Sequence, residues 1–217
     1  MTKKKILIAT GGTGGHIFPA YSLANYLLNK NFSVKLTSDR RGLEYLKSYK
    51  NLDLVKIYSS PLVKKNSIKL LFSIFVIIFS IIRFFFILLF HRPIIIIGMG
   101  GYSSFPICIA ASILRIKFII YENNLVIGKA NKYLLPFAKK IIVSYKDLEG
   151  IPKKYKPKIV EVGNIVRSQI INSNFSYRTN RFDNIKILVL GGSQAAAIFA
   201  EELPRIFKEL KNSDIKL

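Results

Sequence analysis

The chain has 217 residues, half of them hydrophobic, which suffices for one or two domains with a sizeable core. It holds 34 Lys and Arg against 12 Asp and Glu, a formal charge of +22, so its surface attracts anions such as phosphorylated substrates, anionic lipid or nucleic acid. The single Cys108 excludes an internal disulfide and points to a reducing compartment.

In chain order, the basic start "MTKKK" and the apolar run after it are too short for a secretory signal core and lack its cleavage site. They read as mature protein. "KILIA" predicts a buried strand, and "IFPAYSLANYLLNK" a helix with Leu23, Tyr26 and Leu27 on one face. "FSVKLTS" predicts a strand, "RGLEYLKSY" a short helix and "LDLVKIY" a third strand. Residues 70–90, "LLFSIFVIIFSIIRFFFILLF", carry one charge, Arg83, and are long enough to span a bilayer. The preferred reading is a crossover helix on the sheet whose outer apolar face dips into a membrane, because a span would put two strands of one sheet on opposite sides. The spanning helix stays as the alternative.

"PIIIIG" predicts a strand. "SSFPICIAASILR" predicts a helix with Ser103 or Ser104 as N-cap, "KFIIYE" a strand, "GKANKYLLPFA" a helix up to Pro136, and "KKIIVS" a sixth strand. Short apolar strands alternating with helices predict an α/β fold with a parallel sheet covered on both faces. After the short strand "KIVEV", a polar run reads as a linker. "IKILVLGGSQAAAIFAEELPRIFKEL" then restarts the strand–helix pattern, with Pro204 expected to bend or break its helix. The predicted organisation is a first domain over 1–164, a linker over 165–184, and over 185–217 the first unit of a second domain left incomplete.

Charge distribution narrows the partner. From Leu54 to Tyr121 there is no acidic residue, while Lys56, Lys64, Lys65, Lys69, Arg83, Arg92, Arg115 and Lys117 all fall there. Interleaved with long apolar runs, this span suits an anionic membrane surface better than nucleic acid. Compositional drift toward Lys, Ile, Asn and Phe accounts for much of the total charge equally well. The expected membrane contacts are Leu71, Phe72, Phe75, Phe79, Lys64, Lys65 and Lys69.

One device recurs three times, a strand running through a glycine turn into a helix: "ILIATGGTGGH", "IIIIGMGGYSSFP" and "ILVLGGSQAAA". Such turns bring backbone N–H groups and a helix N-terminus to a phosphate. None is a dinucleotide fingerprint or a triphosphate-binding loop, so nucleoside triphosphate hydrolysis is not expected. No Cys/His cluster has metal spacing. His16 is the natural proton acceptor near neutral pH, with a phosphate-orienting role as the simpler alternative. Glu122 at a strand end is equally consistent with chemistry or a structural hydrogen bond. His91 reads as a helix C-terminal residue.

The order and wording of "GGTGGHIFPA", "GMGGYSSFP", "YENN" with "GKANK", "VGNIVR" and "GGSQ" resemble the MurG family, the bacterial lipid-linked N-acetylglucosaminyl transferases of peptidoglycan synthesis. The resemblance implies a GT-B fold of two Rossmann-like domains, the second only begun here. It implies transfer of N-acetylglucosamine from UDP-N-acetylglucosamine to lipid I, giving lipid II, expected with inversion; a Gly-rich site without an acidic metal-binding pair predicts that no metal or cofactor is used. It places the acceptor diphosphate at Gly11, Gly12, Gly100, Gly101, Tyr102 and Ser103, and the sugar nucleotide at Thr13, Gly14, Gly15, Asn124, Arg167 and Ser193, with Gln194 beside them. His16, from its titration range, and Glu122 are the candidate catalytic residues.

The implied partners are an undecaprenyl-linked acceptor, anionic membrane lipid and cell-wall synthesis proteins, at the cytoplasmic face of the inner membrane, with no nucleic acid. The chain departs from the family pattern at Tyr121 and Asn123, where His and Gln are usual, at Ile165 in place of Pro, and at Ala195 in place of Gly. The family also extends well past this chain's last residue, so the 217 residues alone are expected not to turn over usefully. Rival readings are a non-catalytic membrane-binding fragment and one subunit of a split lipid-linked transferase. A nucleic-acid binder suits the charge but leaves the glycine turns unexplained.

Overall fold

A computed structural model describes residues 3–47, 49, 51–59, 67–171, 188–191 and 196–212. The chain forms two compact units, residues 1–172 and 173–217. In the first, seven strands make one parallel sheet: β1 (Lys5–Ala9), β2 (Ser33–Ser38), β3 (Asp53–Lys56), β4 (Ile95–Gly98), β5 (Phe118–Glu122), β6 (Lys140–Val143) and β7 (Ile159–Glu161). Their order is β3-β2-β1-β4-β5-β6-β7. All seven expected strands of this unit form. Their apolar runs, Ile6–Ala9 and Ile95–Ile97 among them, are covered on both faces, as parallel sheets require.

Helices α1 (Gly14–Asn29) and α2 (Arg40–Leu46) cover one face, and α3 (Ser67–Phe90), α4 (Gly101–Ile113) and α5 (Lys129–Leu134) cover the other. A short α6 (Ser168–Ile171) follows β7. Helix α1 faces the core through Ile17, Ala20 and Ala24, with Leu23 and Leu27 partly buried beside them. Tyr26 is 59% exposed, so it does not belong to the predicted face. Small alanines at the centre of the stripe let the helix sit close to the strands.

Helix α4 starts earlier than expected. Its N-cap is Gly100, at φ +84°, and Ser103 and Ser104 lie buried within its first turns. The serines fail as caps because the glycine takes a positive-φ backbone that no serine adopts cheaply. Ser104 instead donates to the Gly101 carbonyl at 3.0 Å.

Helix α3 turns Ser73, Ser80, Phe84 and Leu88 inward, and Phe84 and Leu88 join the core with Ile107 and Cys108 of α4. Its other side exposes Leu71, Phe72, Phe75, Ile78, Phe79, Ile82 and Phe86. By length and composition α3 could cross a membrane, and it is the one such helix among the described residues. Arg83 is drawn back to the protein, donating to the Lys56 carbonyl at 2.7 Å and lying over the Tyr58 ring.

In the second unit, helix α7 (Ala196–Asn212) runs through Pro204 without the break that was one of the two expected outcomes there. Leu188–Gly191 carry no strand. The first unit continues to residue 172, so Ile165 and Arg167, placed in the predicted linker, belong to it.

Candidate active site at the strand-order reversal

Strands β1 and β4 are neighbours, with Ala9 opposite Gly98, and the chain winds outward from them in both directions. In parallel sheets this reversal opens a crevice beyond the carboxyl ends of the strands. The first two glycine turns leave the sheet there, side by side. Met99 N–H donates to the Ala9 carbonyl at 2.8 Å, binding one turn to the other strand. A Cβ on Gly101 would stand 3.1 Å from the Gly11 carbonyl oxygen, so the turns meet through bare backbone.

His16 occupies the junction. It lies in the first turn of α1, and its N–H donates to the Thr13 carbonyl at 3.1 Å. Its ring packs on Gly100, where a Cβ would come within 3.0 Å of Cε1 and 3.2 Å of Nδ1. His16 Nδ1 is buried without a hydrogen-bond partner among the described residues. Burial lowers the imidazole's pKa, opposed by the Glu122 carboxylate and by the Met99 backbone. Desolvation is the largest of the three causes, so the ring is neutral at pH 7 and able to accept a proton.

Glu122, 2% exposed at the end of β5, accepts four hydrogen bonds. Oε1 receives Asn124 N–H at 3.2 Å and Asn124 Nδ2 at 2.7 Å, and Oε2 receives Gly128 N–H at 2.8 Å and Asn131 Nδ2 at 3.0 Å. A buried carboxylate so fully bonded acts as a hub that fixes the "ENN" turn and the start of α5. Asn131 Nδ2 also donates to the Tyr121 carbonyl at 3.1 Å, and its Oδ1 is buried without a partner among the described residues. A pocket of about 180 Å³ beside His16 is lined by Gly101, Tyr102, Glu122, Asn124 and Asn131.

Asp39 organises the other side of the turns. Its carboxylate caps α2 through Gly42 N–H at 2.9 Å, accepts Gly12 N–H at 3.1 and 3.2 Å, and accepts the Ser103 hydroxyl at 3.2 Å. Ser103 Oγ is also 2.9 Å from Ser59 Oγ. Gly12 and Ser103, expected to face a diphosphate, are therefore engaged by Asp39 here. Gly14 and Gly15 open α1, Gly15 exposed, at the partially positive end of the helix. Thr13 is the N-cap residue but makes no side-chain cap.

Tyr121, standing where the resemblance has His, points its hydroxyl at a later segment. It lies 2.9 Å from Ser144 Oγ, accepts Ile165 N–H at 3.2 Å, and reaches the Gly163 carbonyl at 3.5 Å. The segment so held brings Arg167 back to α1, its guanidinium 4.6 Å from the Phe18 ring centre.

The fold thus gathers His16, Gly101, Tyr102, Glu122 and Asn124 at one pocket, with Gly100 against the His16 ring and Thr13, Gly14, Gly15 and Arg167 around the start of α1. Ser193, Gln194, Lys64 and Lys65 lie outside the described residues. Leu71, Phe72, Phe75, Phe79 and Lys69 are exposed on α3. Sequence reading missed Asp39 and Asn131. "SDRRG" offered a signal for the first, an Asp between an apolar strand and a helix. Asn131 offered only a weak one, a poor helix former among apolar helical positions.

The glycosyltransferase family 28 N-terminal domain matches residues 6–143, more than half of the chain and all of this site except Arg167. The chain belongs to glycosyltransferase family 28. This family 28 chain is 36% identical over 216 residues to the UDP-N-acetylglucosamine–N-acetylmuramyl-(pentapeptide) pyrophosphoryl-undecaprenol N-acetylglucosamine transferase of Pelagibacter ubique, covering 99% of this chain and 59% of that protein. The Rickettsia bellii protein of the same name is 36% identical over 220 residues, covering 99% of this chain and 60% of it. Among solved structures, MurG of Acinetobacter baumannii superposes with a TM-score of 0.69 at 24% identity, over 96% of this chain and 58% of that one, which shows the shared fold. The chain spans about three fifths of the length of the curated relatives it matches.

Proposed function

We propose that this chain is the acceptor-side part of an inverting transferase of the MurG type. It moves N-acetylglucosamine from UDP-N-acetylglucosamine to the N-acetylmuramic acid of a lipid-linked diphosphate, converting lipid I to lipid II in peptidoglycan synthesis. The observation that carries this reading is the His16 ring packed on Gly100 at the strand-order reversal, in a chain so similar to transferases of that name.

His16 takes the proton of the attacking 4-hydroxyl as it adds to the anomeric carbon, and the UDP oxygen leaves from the opposite face. Thr13, Gly14 and Gly15 offer the start of α1 to negative charge, and Arg167 brings a guanidinium to the same place. Asn124 is held toward the pocket by Glu122. Glu122, with both oxygens engaged, positions these groups and does not itself move a proton. Ser193 and Gln194 would complete the donor side, and Gly100, Gly101 and Tyr102 face the acceptor. No metal or cofactor takes part in this reading.

The apolar outer face of α3, flanked by Lys69, supports peripheral attachment to the anionic cytoplasmic face of the inner membrane. Burial of Phe84 and Leu88 in the core supports a helix lying in the interface over one crossing it.

Radiolabelled UDP-N-acetylglucosamine with a lipid I analogue tests the reading. The chain completed with a relative's second domain should transfer label. The 217 residues alone should not, since most of the uridine contacts implied by the resemblance lie beyond them and binding energy there positions the reacting centre. No transfer by the completed, folded chain would refute the assignment.

A further inference from the structure

A second, larger cleft of about 410 Å³ lies away from the His16 pocket, between the start of α2, the segment after β3 and the first half of α3. One wall is hydrocarbon: Phe72, Phe75, Val76 and Phe79. Arg40 and Lys56, both exposed, also line it. So does Asp39, whose carboxylate is already taken up by Gly12 N–H, Gly42 N–H and the Ser103 hydroxyl. Ser59, another lining residue, bonds to Ser103. Two of the cleft's lining residues, Asp39 and Ser59, are thus hydrogen-bonded to the glycine-turn residues Gly12 and Ser103, and its opposite wall runs into the exposed apolar face of α3.

Its size falls in the range of small-molecule sites, about 300–1,000 Å³. An apolar wall beside two cations fits an amphiphile with an anionic head. A hydrocarbon chain would cover aromatic side chains that otherwise face water, and phosphate oxygens would meet the guanidinium and the ammonium. A sugar nucleotide would leave the four α3 side chains unmatched. A membrane phospholipid would make no use of the connection to the glycine turns.

We propose that this cleft seats the first isoprenoid units of a lipid diphosphate acceptor, with the diphosphate passing Arg40 and Lys56 toward the glycine turns. The proposal rests on the acceptor-side reading given above and adds a specific chain-binding subsite to it. Phe72, Phe75 and Phe79 then grip one lipid molecule, while Ile78, Ile82 and Phe86 meet the bulk membrane.

The test is calorimetric binding of farnesyl diphosphate to the purified 217-residue chain. Inorganic diphosphate, farnesol and dihexanoyl phosphatidylglycerol serve as comparators. Farnesyl diphosphate should bind at least about tenfold more tightly than each of them. Val76→Trp should weaken its binding about tenfold or more by filling the cleft. Arg40→Gln and Lys56→Gln, exposed changes that spare the packing, should each weaken it severalfold and lower its salt dependence.

Equal binding of farnesyl diphosphate and inorganic diphosphate would overturn the proposal, as would unchanged affinity in all three variants. Equal binding of the phospholipid would assign the cleft to bulk lipid and overturn it too. Binding lost from a chain that transfers sugar when completed strikes the cleft alone. Binding kept by a chain that never transfers strikes the proposed activity instead.

Discussion

Asn123 Nδ2 donates a hydrogen bond to the Gly15 carbonyl at 3.1 Å, joining the end of β5 to the first turn of α1. That carbonyl lacks its helical partner because the residue four positions on is Pro19, which has no N–H. Asn123→Ala should cost about 1 kcal/mol in urea denaturation. The cost should shrink in a Pro19→Ala background, where the backbone N–H restored at that position can reach the Gly15 carbonyl. Additive losses in that double-mutant cycle would show that the two residues are uncoupled.

Tyr121→Phe removes the hydroxyl that holds Ile165 and Ser144. The expected loss is about 1–3 kcal/mol, since Ile165 N–H and Ser144 Oγ lose a partner in a largely buried place. Hydrogen exchange at the Ile165 amide should accelerate more than at amides of β5. Unchanged exchange at Ile165 would show that the 163–167 segment is held by other contacts.

His16 links the site to pH. Its folded pKa is lowered by burial, below the unfolded value near 6.5. As pH falls, the unfolded chain takes the proton first, so the stability contribution is complete above about pH 6.5 and is lost as pH falls toward the folded pKa. Between pH 7.5 and 5.5 the urea midpoint of the wild type should drop more than that of His16→Ala. In the completed chain, His16→Ala should lower kcat about 10²-fold or more and abolish an acidic limb lying below pH 6.5. A raised acceptor KM with kcat unchanged would reduce the histidine to an orienting role.

Gly12 and Gly100 share a positive φ but differ in surroundings. A Cβ on Gly12 meets nothing within 4 Å, so Gly12→Ala should cost only the backbone strain, about 1–2 kcal/mol. Gly100→Ala should cost more, because its methyl also presses on the His16 ring at 3.0 Å. Denaturation midpoints of the two variants give the comparison directly, and equal losses would mean that the ring moves aside freely.

The exposed face of α3 should govern membrane attachment. Replacing Ile78, Ile82 and Phe86 by Gln changes side chains that face outward and leaves Phe84 and Leu88 in the core. The variant should keep its circular dichroism and lose flotation with phosphatidylglycerol vesicles. Wild-type flotation should weaken as salt is raised. Protection of one chain end from protease in sealed vesicles would establish a spanning helix.

Strand positions were legible locally because parallel strands buried on both faces read as apolar runs, as "KILIA" and "PIIIIG" do. The glycine turns were equally legible, since a backbone at φ +84° before a helix demands a residue without Cβ. Cap positions were less so. Ser103 and Ser104 have cap chemistry, and only the path of the chain out of β4 gave the cap to Gly100.

Composition and spacing alone were enough for the alternating α/β pattern of the first unit, its two glycine turns, the position of His16 at the start of a helix and the unbroken apolar character of residues 70–90. These are local properties of the chain. Which turns meet was a matter of tertiary pairing, because β1 beside β4 brings Gly11 against Gly101 and His16 against Gly100 across long stretches of chain. Packing likewise assigned Glu122 to a four-bond hub, Asp39 to the glycine turn and Tyr121 to the segment before Arg167. Those roles depend on donors brought from distant parts of the chain, and a side chain's hydrogen-bond partners follow from the packing of whole elements rather than from its neighbours in sequence.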